Sequence, residues 1–562
     1  MSATVPKPAS RRQIQVRTGD ARAFKVGDAL FEAYTHDFAR ISEFYSYNPW
    51  SDDDLKRSAE TAAARTTPTA DVVEALDALN LEIGAGAPAL EELAKIRRGA
   101  PVVLTGQQPG LFGGPVYNLY KMLTAKALAG RLEQLIGGPV ATIFWCGSED
   151  SDLLEVNHTY LPPRAGVSPD TDSDAVCIEY PILPEEHGLT MADLRLDESR
   201  LESPRDRFLK TLPQSPEADT ARGWIREAYQ GKNSLSIAFL NIYAALLQEV
   251  GIAFADAGLS RFRKLEKDLF RQELQRPGAS SEEVRTAADR LKALGFKPLI
   301  YKKEKQVNLY LLRDWKRAPI AHTDGHFQVG DERFTSAELL SLLDSSPENF
   351  STSVVLRPVT QDFLFRTAAY VGGPGEIAYG AQLKGVYRQF GIRQPAIFPR
   401  ASFTVLFSRV AKILEKYGLA AQDLTGTVPG AVSRAVEHLA PEGITAQFDQ
   451  TAKALEQQLR ALEASLKQVD SALAPAAARL RSRLYKELMD LQTELKRALK
   501  ARAPEVERQV RKARGAVLPL DEPQERIINP LYFYALLGDG FIQDALSNAL
   551  VEPKMHKILE YQ

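Results

Sequence analysis

Cysteine is almost missing from this 562-residue sequence: Cys146 and Cys177 are the only two, too few for a disulfide framework and without the paired spacing of a zinc site. Neither zinc nor haem is expected, and a reducing cytosol fits best. Strong net charge is missing too. A formal charge of −2 gives no broad basic field for neutralising phosphates, so a nucleic-acid partner is not expected. No run reaches the ~20 apolar residues that cross a bilayer as a helix. The polar start, Met1 to Arg22, carries Arg11, Arg12 and Arg17 but no apolar core of the secretory kind. The expectation is a soluble, cytoplasmic chain with no membrane partner. Two nucleotide signatures also fail: Gly106, Gly110, Gly113 and Gly114 do not fit G-x-G-x-x-G, and no Gly-Lys-Ser/Thr ends that stretch.

What is present is ordinary globular material, with 44% hydrophobic and 25% charged residues, so a mainly disordered or fibrous chain is excluded. Its length exceeds the ~250–300 residues at which single cores stop growing, which predicts more than one unit. The clearest element is a βαβ unit. Pro101-Val-Val-Leu-Thr105 reads as a strand, Val116, Leu119, Tyr120, Leu123, Ala127 and Leu128 recur at helical spacing after Pro115, and Val140-Ala-Thr-Ile-Phe-Trp-Cys146 reads as a second strand. A right-handed crossover makes the strands parallel, and ligands gather at the carboxyl ends of such strands. Those ends carry Thr105-Gly-Gln-Gln and Gly147-Ser-Glu-Asp-Ser-Asp152, so two loops should share one crevice.

Each loop has a plain alternative. The glycines at 106–114 permit close backbone approach before a helix N-terminus, or simply form a turn. Glu149, Asp150, Asp152 and Glu155 beside His158 could hold an ammonium group, accept a proton or bind Mg²⁺, or could merely favour a helix start. A third stretch, Leu356-Arg-Pro-Val-Thr-Gln-Asp362 with Tyr370-Val-Gly-Gly-Pro-Gly-Glu-Ile-Ala-Tyr379, places Arg357 for a carboxylate or phosphate, against an ordinary salt bridge, and Glu376 at a helix start. Cys146 ends a strand but reads more readily as a small hydrophobe. His322 and His326 flank Thr323-Asp-Gly325, which reads as a hairpin turn rather than a zinc pair.

Residues 160–220 read as an excursion or small insertion without a legible fold. Helical patterns cover Ile237–Val250, Ser260–Leu274 and Ser281–Leu294, and Val307–Leu312 with His326–Val329 read as strands of a second insertion. Phe448, Ala452, Leu455, Leu459, Leu462, Leu466, Val469 and Leu473 form a heptad seam. After Pro475 a second seam runs through Ala477, Leu480, Leu484, Leu488, Leu491, Leu495 and Ala498, which predicts an antiparallel coiled-coil hairpin. The expected organisation is a core over 1–400 with insertions near 160–220 and 300–345, a helical region over 401–515 with the hairpin near 446–513, and a C-terminal return over 516–562.

Four blocks, TGQQPGLFGGPVYNLYK at 105–121, FWCGSEDSDLLEVNH at 144–158, LRPVTQDFLFRTAAYVGGPGEIAYGAQLKGVY at 356–387 and KARGAVLPLDEPQER at 512–526, together resemble the bacillithiol biosynthesis cysteine-adding enzyme family. The resemblance implies an α/β fold: a Rossmann-like core of class I nucleotidyltransferase type, inserted connecting subdomains, and a long antiparallel coiled coil that forms a homodimer. It implies amide formation between the carboxyl of cysteine and the glucosamine amine of glucosaminyl malate. A free carboxylate is a poor electrophile, so ATP or another nucleotide is expected to activate it as an acyl adenylate or acyl phosphate, with Mg²⁺ as a companion. The residues expected to react are Glu149, Asp150, Asp152 and His158. Substrate and nucleotide binding is expected of Thr105, Gly106, Gln107, Gln108, Gly110, Gly113, Gly114, Asn118 and Lys121, of Trp145 and Asn157, and of Arg357, Gln361, Gly372, Gly373, Gly375, Glu376, Tyr379 and Gln382. The crevice would lie between the 105–114 and 147–158 loops, closed on one side by the Gly372–Glu376 turn. One departure stands out: the family's Glu-Asp-His-Asp is Glu149-Asp-Ser-Asp152 here, with Ser151 in the place of a histidine. Another aminoacyl-activating ligase or nucleotidyltransferase, and a non-catalytic coiled-coil scaffold with a degenerate site, are the alternatives.

Overall fold

The computed structural model describes residues 13–164, 174–304, 306–439, 443–501, 503–550, 552 and 554–562. Residues 1–12 of the polar start and 165–173 of the 160–220 excursion therefore lie outside the described residues. The chain divides into two compact units, Met1–Thr404 with Glu522–Leu559, and Val405–Asp521 with Glu560–Gln562.

In the first unit five strands, β1 (Val102–Gln107), β2 (Ala141–Cys146), β3 (Ala253–Asp256), β4 (Thr367–Gly372) and β5 (Ala396–Pro399), form a sheet in the order β5-β4-β1-β2-β3. Every neighbouring pair is parallel. Val103, Leu104, Ile143 and Phe144 have no exposed surface, as expected where both faces of a parallel sheet are covered. Helix α1 (Tyr117–Ile136) connects β1 to β2 and ends at Gly137, whose φ of 65° lets its N–H reach Glu133 O at 2.9 Å. The chain runs from β1 outward to β3 and then returns on the other side as β4 and β5. This reversal makes the carboxyl ends of β1 and β4 the switch point where open α/β sheets take ligands. The sequence signalled only the β1–β2 side of it.

Two insertions flank the sheet. The excursion contains an antiparallel pair, His158–Leu161 with Val176–Glu179, and helices Glu198–Thr211 and Pro216–Ala228. The second insertion is a five-stranded antiparallel sheet built from Gln306–Arg313, Lys316–Thr323, His326–Val329, Glu332–Phe334 and Phe350–Thr352. Its Asp324-Gly325 turn has positive φ at both residues, the two-residue geometry that matches strand twist, and pairs Thr323 with His326. The helix read over Ser260–Leu274 is broken into Ser260–Arg263, Lys264–Glu266 and Lys267–Gln275. Among the described residues no helix is long and apolar enough to cross a membrane.

The second unit contains the hairpin, α4 (Ile444–Val469) and α5 (Ala474–Ala501). The reversal comes at Asp470, whose carboxylate accepts the Ala472 N–H at 2.8 Å; Pro475 sits in the first turn of α5, where its missing N–H costs nothing. Arg481 bonds Glu463 across the pair at 2.7 Å. Much of the seam stays in contact with solvent in the single chain, with Val469 81% and Leu491 55% exposed.

Candidate active site

At the switch point the tips of β1 and β4 are joined by side chains. Lys121, one turn into α1 and 1% exposed, donates to Gly106 O at 2.7 Å and Gln107 Oε1 at 2.8 Å and forms an ion pair with Glu376. Glu376 heads α3 (Pro374–Gly380), where its other contacts are the Gly373 N–H at 2.7 Å and the Tyr370 hydroxyl at 2.5 Å. Burial pulls the Lys121 ammonium down to about 8 in spite of Glu376. Burial would raise the Glu376 carboxyl, but Lys121, Tyr370 and Gly373 outweigh it and hold the group below its usual range. Gly106 is required here, since a Cβ would come within 2.8 Å of Trp145 O.

Arg357 opens helix α2 (Arg357–Leu364), and its guanidinium donates to the Tyr379 hydroxyl at 2.7 Å. Its buried Nε has no partner, and among the described residues it forms no ion pair. Burial disfavours the charge, yet Tyr379, Tyr370, Glu376 and Glu149 together keep it fully protonated. A half-buried cation lacking a carboxylate at contact distance is suited to an anion.

The acidic loop is drawn to the β1 tip by its backbone and by Gln108. Gly147 N–H donates to Gln107 O at 2.8 Å, and Gln108 Nε2 reaches Asp150 at 2.9 Å and Glu155 at 3.1 Å. Its carboxylates do different work. Both Glu149 oxygens accept from the inserted sheet, from Ser351 Oγ and Thr352 N at 3.0 Å and from Thr352 Oγ1 at 2.5 Å. Asp150 caps its own loop through the Ser151 N–H at 2.7 Å and lies 3.5 Å from Arg317. Asp152 is exposed, and Ser151 is half-buried. His158 Nδ1 is 3.2 Å from Asn157 Oδ1, while the Asn157 amide nitrogen bonds Tyr180 O and Glu179.

Several other expected residues serve as fasteners. Thr105 Oγ1 bonds Val371 O across β1 and β4 at 2.8 Å. Trp145 packs edge-on against Phe262 and Phe365. Gln382 is fully engaged with Leu299 and Ile300 at the entry to the second insertion. Gln361 is buried beside Gly106, Gly113 O receives the Tyr243 hydroxyl and the Asn118 amide, and Gly372 O receives the Arg400 N–H. Gly110 lies against Gly114, and Gly375 is exposed. Cys146 is buried, and burial pushes its thiol well up.

A cavity of about 330 Å³ adjoins the β1 tip. Gln107, Gln108, Tyr117, Asn118, Glu155 and His158 line one side, and Glu522, Arg526 and Ile527 of the returning chain line the other. Gln107 belongs to both places, because its Nε2 donates to Tyr117 OH at 3.1 Å while its Oε1 accepts from Lys121. The return is tightly sewn in. Asn529 Nδ2 bonds Phe112 O, Gly114 O and Thr159 Oγ1, and Ile528 O accepts the Val116 N–H. Glu525 pairs with Arg400 at 2.6 Å and also accepts from Ser402 Oγ and Phe403 N. Tyr117, Tyr370, Glu525 and Arg526 lie inside the sequence blocks at 105–121, 356–387 and 512–526 without standing out as site residues, and Arg400 and Asn529 lie outside those blocks.

Behind Glu525, His556 is 2% exposed, with its two ring nitrogens at 2.9 Å from Ser402 Oγ and Thr404 Oγ1. Burial pushes it down to about 4. The unfolded chain takes up this proton near 6.5 and the folded chain only near 4, so this group lowers stability as pH falls through that window, by about 3 kcal/mol at pH 4. Urea midpoints measured from pH 7.5 to 4 should therefore fall less steeply for His556→Gln than for the parent, and parallel curves would reject the assignment.

Among the described residues no group of three or more His, Cys, Asp or Glu side chains is arranged to hold a metal ion. Two family models match the chain: the N-terminal Rossmann-like domain of bacillithiol biosynthesis BshC over residues 16–401, and its C-terminal coiled-coil domain over 403–561. Relatives provisionally named cysteine ligase BshC occur in Salinibacter ruber, at 30% identity over 94% of this chain and 96% of that one, and in Koribacter versatilis, at 31% over 94% and 97%. A third, from Bacillus licheniformis, is 28% identical over 82% and 84%.

Proposed function

The chain belongs to the BshC family of bacillithiol biosynthesis, and from that premise we propose that it is a ligase joining the cysteine carboxyl to the amine of glucosaminyl malate. The observation that carries the reading is the meeting, at Gln107, of a cation-bearing strand-tip cluster with a polar cavity. Amide formation needs two such places side by side, one for an activated acyl group and one for the attacking amine.

The strand-tip side fits an anion because Arg357 is half-buried with its Nε unpartnered and, among the described residues, forms no ion pair, so a nucleotide phosphate or a carboxylate would lie against Arg357 and the glycine turns at Gly106 and Gly372-Gly373. A bound nucleotide supplies a leaving group for the cysteine carboxyl. On the cavity side Glu155 and His158 are placed to receive the proton released as the amine nitrogen bonds to the carbonyl carbon. Lys121 and Glu376 hold Gln107 and the β4 tip in register while this happens. No step here depends on Mg²⁺. Cytoplasmic location and a homodimer through the half-exposed α4–α5 seam complete the proposal.

The test is purified protein with cysteine, glucosaminyl malate and a panel of nucleotides, with products read by mass spectrometry. The expected product is bacillithiol with one nucleotide consumed per amide, and Arg357→Gln should lower turnover by about 100-fold or more while leaving the fold intact. Absence of the amide with every nucleotide, or full turnover by the variant, defeats the reading.

A further inference from the structure

We propose that the cavity beneath the returning segment is the acceptor subsite, and that Arg526 is its specificity-determining residue, binding a carboxylate of the acceptor. This inference rests on the ligase reading and deepens it by naming the group that recognises the acid half of the second substrate.

At about 330 Å³ the cavity lies in the range of small-molecule sites, and its lining is mixed in chemistry. Arg526 is the cationic side chain among its lining residues. Its one ion pair among the described residues is Glu522, at 3.7 Å, with both side chains more than half exposed; an exposed contact of that length is weak and leaves the guanidinium available to a ligand. Its charge also reaches Tyr117 on the facing wall, where it works against the burial that lifts the phenol to about 12. Within the cavity Asn118 is 1% exposed and its amide oxygen has no partner, so a buried acceptor waits for a hydroxyl or ammonium donor. Glu155 and His158 stand on the same wall. A ligand satisfying all of these carries an anionic end for Arg526 and a hydroxyl- and amine-bearing end for Asn118, Glu155 and His158. An amino sugar linked to a carboxylic acid has that polarity.

The placement of Arg526 is fixed by its neighbours rather than by its own contacts. Glu525 is buried in its pair with Arg400, and Asn529 is tied to the glycine loop and Thr159, so the segment between them is clamped from both ends. This gives a reason for the chain to return to the first unit after the helical region: the return supplies one wall of the subsite.

The experiment compares equilibrium binding and steady-state turnover of full-length parent, Arg526→Met and Arg526→Lys proteins. The acceptors are glucosaminyl malate and its dimethyl ester. Arg526→Met should weaken binding of glucosaminyl malate, and raise its KM, by about 10- to 100-fold, the worth of one hydrogen bond to a charged group. The KM for cysteine and the binding of the diester should stay the same, and Arg526→Lys should recover part of the loss. Equal binding of acid and diester by the parent, no binding of either, or an unchanged affinity in Arg526→Met overturns the proposal. Parent protein that binds the acid through Arg526 but forms no amide would instead leave this subsite standing and reject the ligase reading.

Discussion

Lys121→Met should lose ligation by about 1,000-fold or more and lower the stability of the protein by about 3–5 kcal/mol, because the substitution strands Glu376 in a buried site without its counter-charge. An ammonium whose protonation is pulled from 10.5 down to about 8 is held in the folded chain at a loss relative to water. The unfolded chain binds that proton more tightly, so this group lowers stability progressively as pH falls from 10.5 to 8, and the deficit is fully present at pH 7. An ammonium kept buried against that penalty and joining the β1 tip to the β4 tip is best explained by what it does there: it holds Gln107, Gly106 and the Gly373 turn in one arrangement. The decisive variant is Lys121→Met with Glu376→Gln. Removing both charges should return stability to the parent level or above it while ligation stays lost. If the double variant is as unstable as Lys121→Met, the pair is structural; if it ligates normally, the pair lies outside the mechanism.

How far the sequence reveals this arrangement depends on how local each interaction is. The β1–α1–β2 unit was readable because a short apolar run, a helical period and a second apolar run follow one another within 46 residues, Pro101 to Cys146. The Asp324-Gly325 turn was readable for the same reason, since turn chemistry resides in two adjacent residues. The position of β4 beside β1 was not, because nothing in a strand names a partner more than 250 residues away. The crevice expected between the 105–114 and 147–158 loops coincides with the cavity lined by Gln107, Gln108, Glu155 and His158, but strand order adds a second place the sequence does not signal, the switch point between β1 and β4. Composition also gave all the carboxylates of Gly147–Glu155 similar standing. Their surroundings separate them: Glu149 is buried and committed to Ser351 and Thr352, while of the exposed Asp152 and Glu155 it is Glu155 that lines the cavity. The hairpin was visible from its heptads, but Pro475 marked the start of the second helix rather than the turn, because a first-turn proline reads like a breaker in one dimension.

Glu525→Ala tests the least legible part of the site and should be nearly as damaging to stability, at about 3–5 kcal/mol. Arg400 and Glu525 are 4% and 2% exposed at their side chains, and the carboxylate also accepts the Ser402 hydroxyl and the Phe403 N–H. Deleting it leaves a buried guanidinium without its counter-charge and the Phe403 N–H without an acceptor, which is worse than losing one contact. Burial penalises the Arg400 charge, and Glu525 is the main group offsetting that penalty. The freed cation cannot escape by neutralising itself, because an arginine stays protonated at any ordinary pH. The consequences should extend beyond stability. Arg400 sits over the Tyr117 ring, 5.4 Å from its centroid, and Arg526 follows Glu525 in the chain, so both walls of the cavity should loosen together. Denaturant unfolding should show a lower midpoint for Glu525→Ala than for Glu525→Gln, which retains an acceptor oxygen. In the surviving folded fraction the KM for the amine acceptor should rise more than the KM for cysteine. A midpoint equal to that of the parent would show that the ion pair contributes nothing to holding the return. Equal changes in both KM values would show that Glu525 supports the whole first unit rather than the acceptor wall.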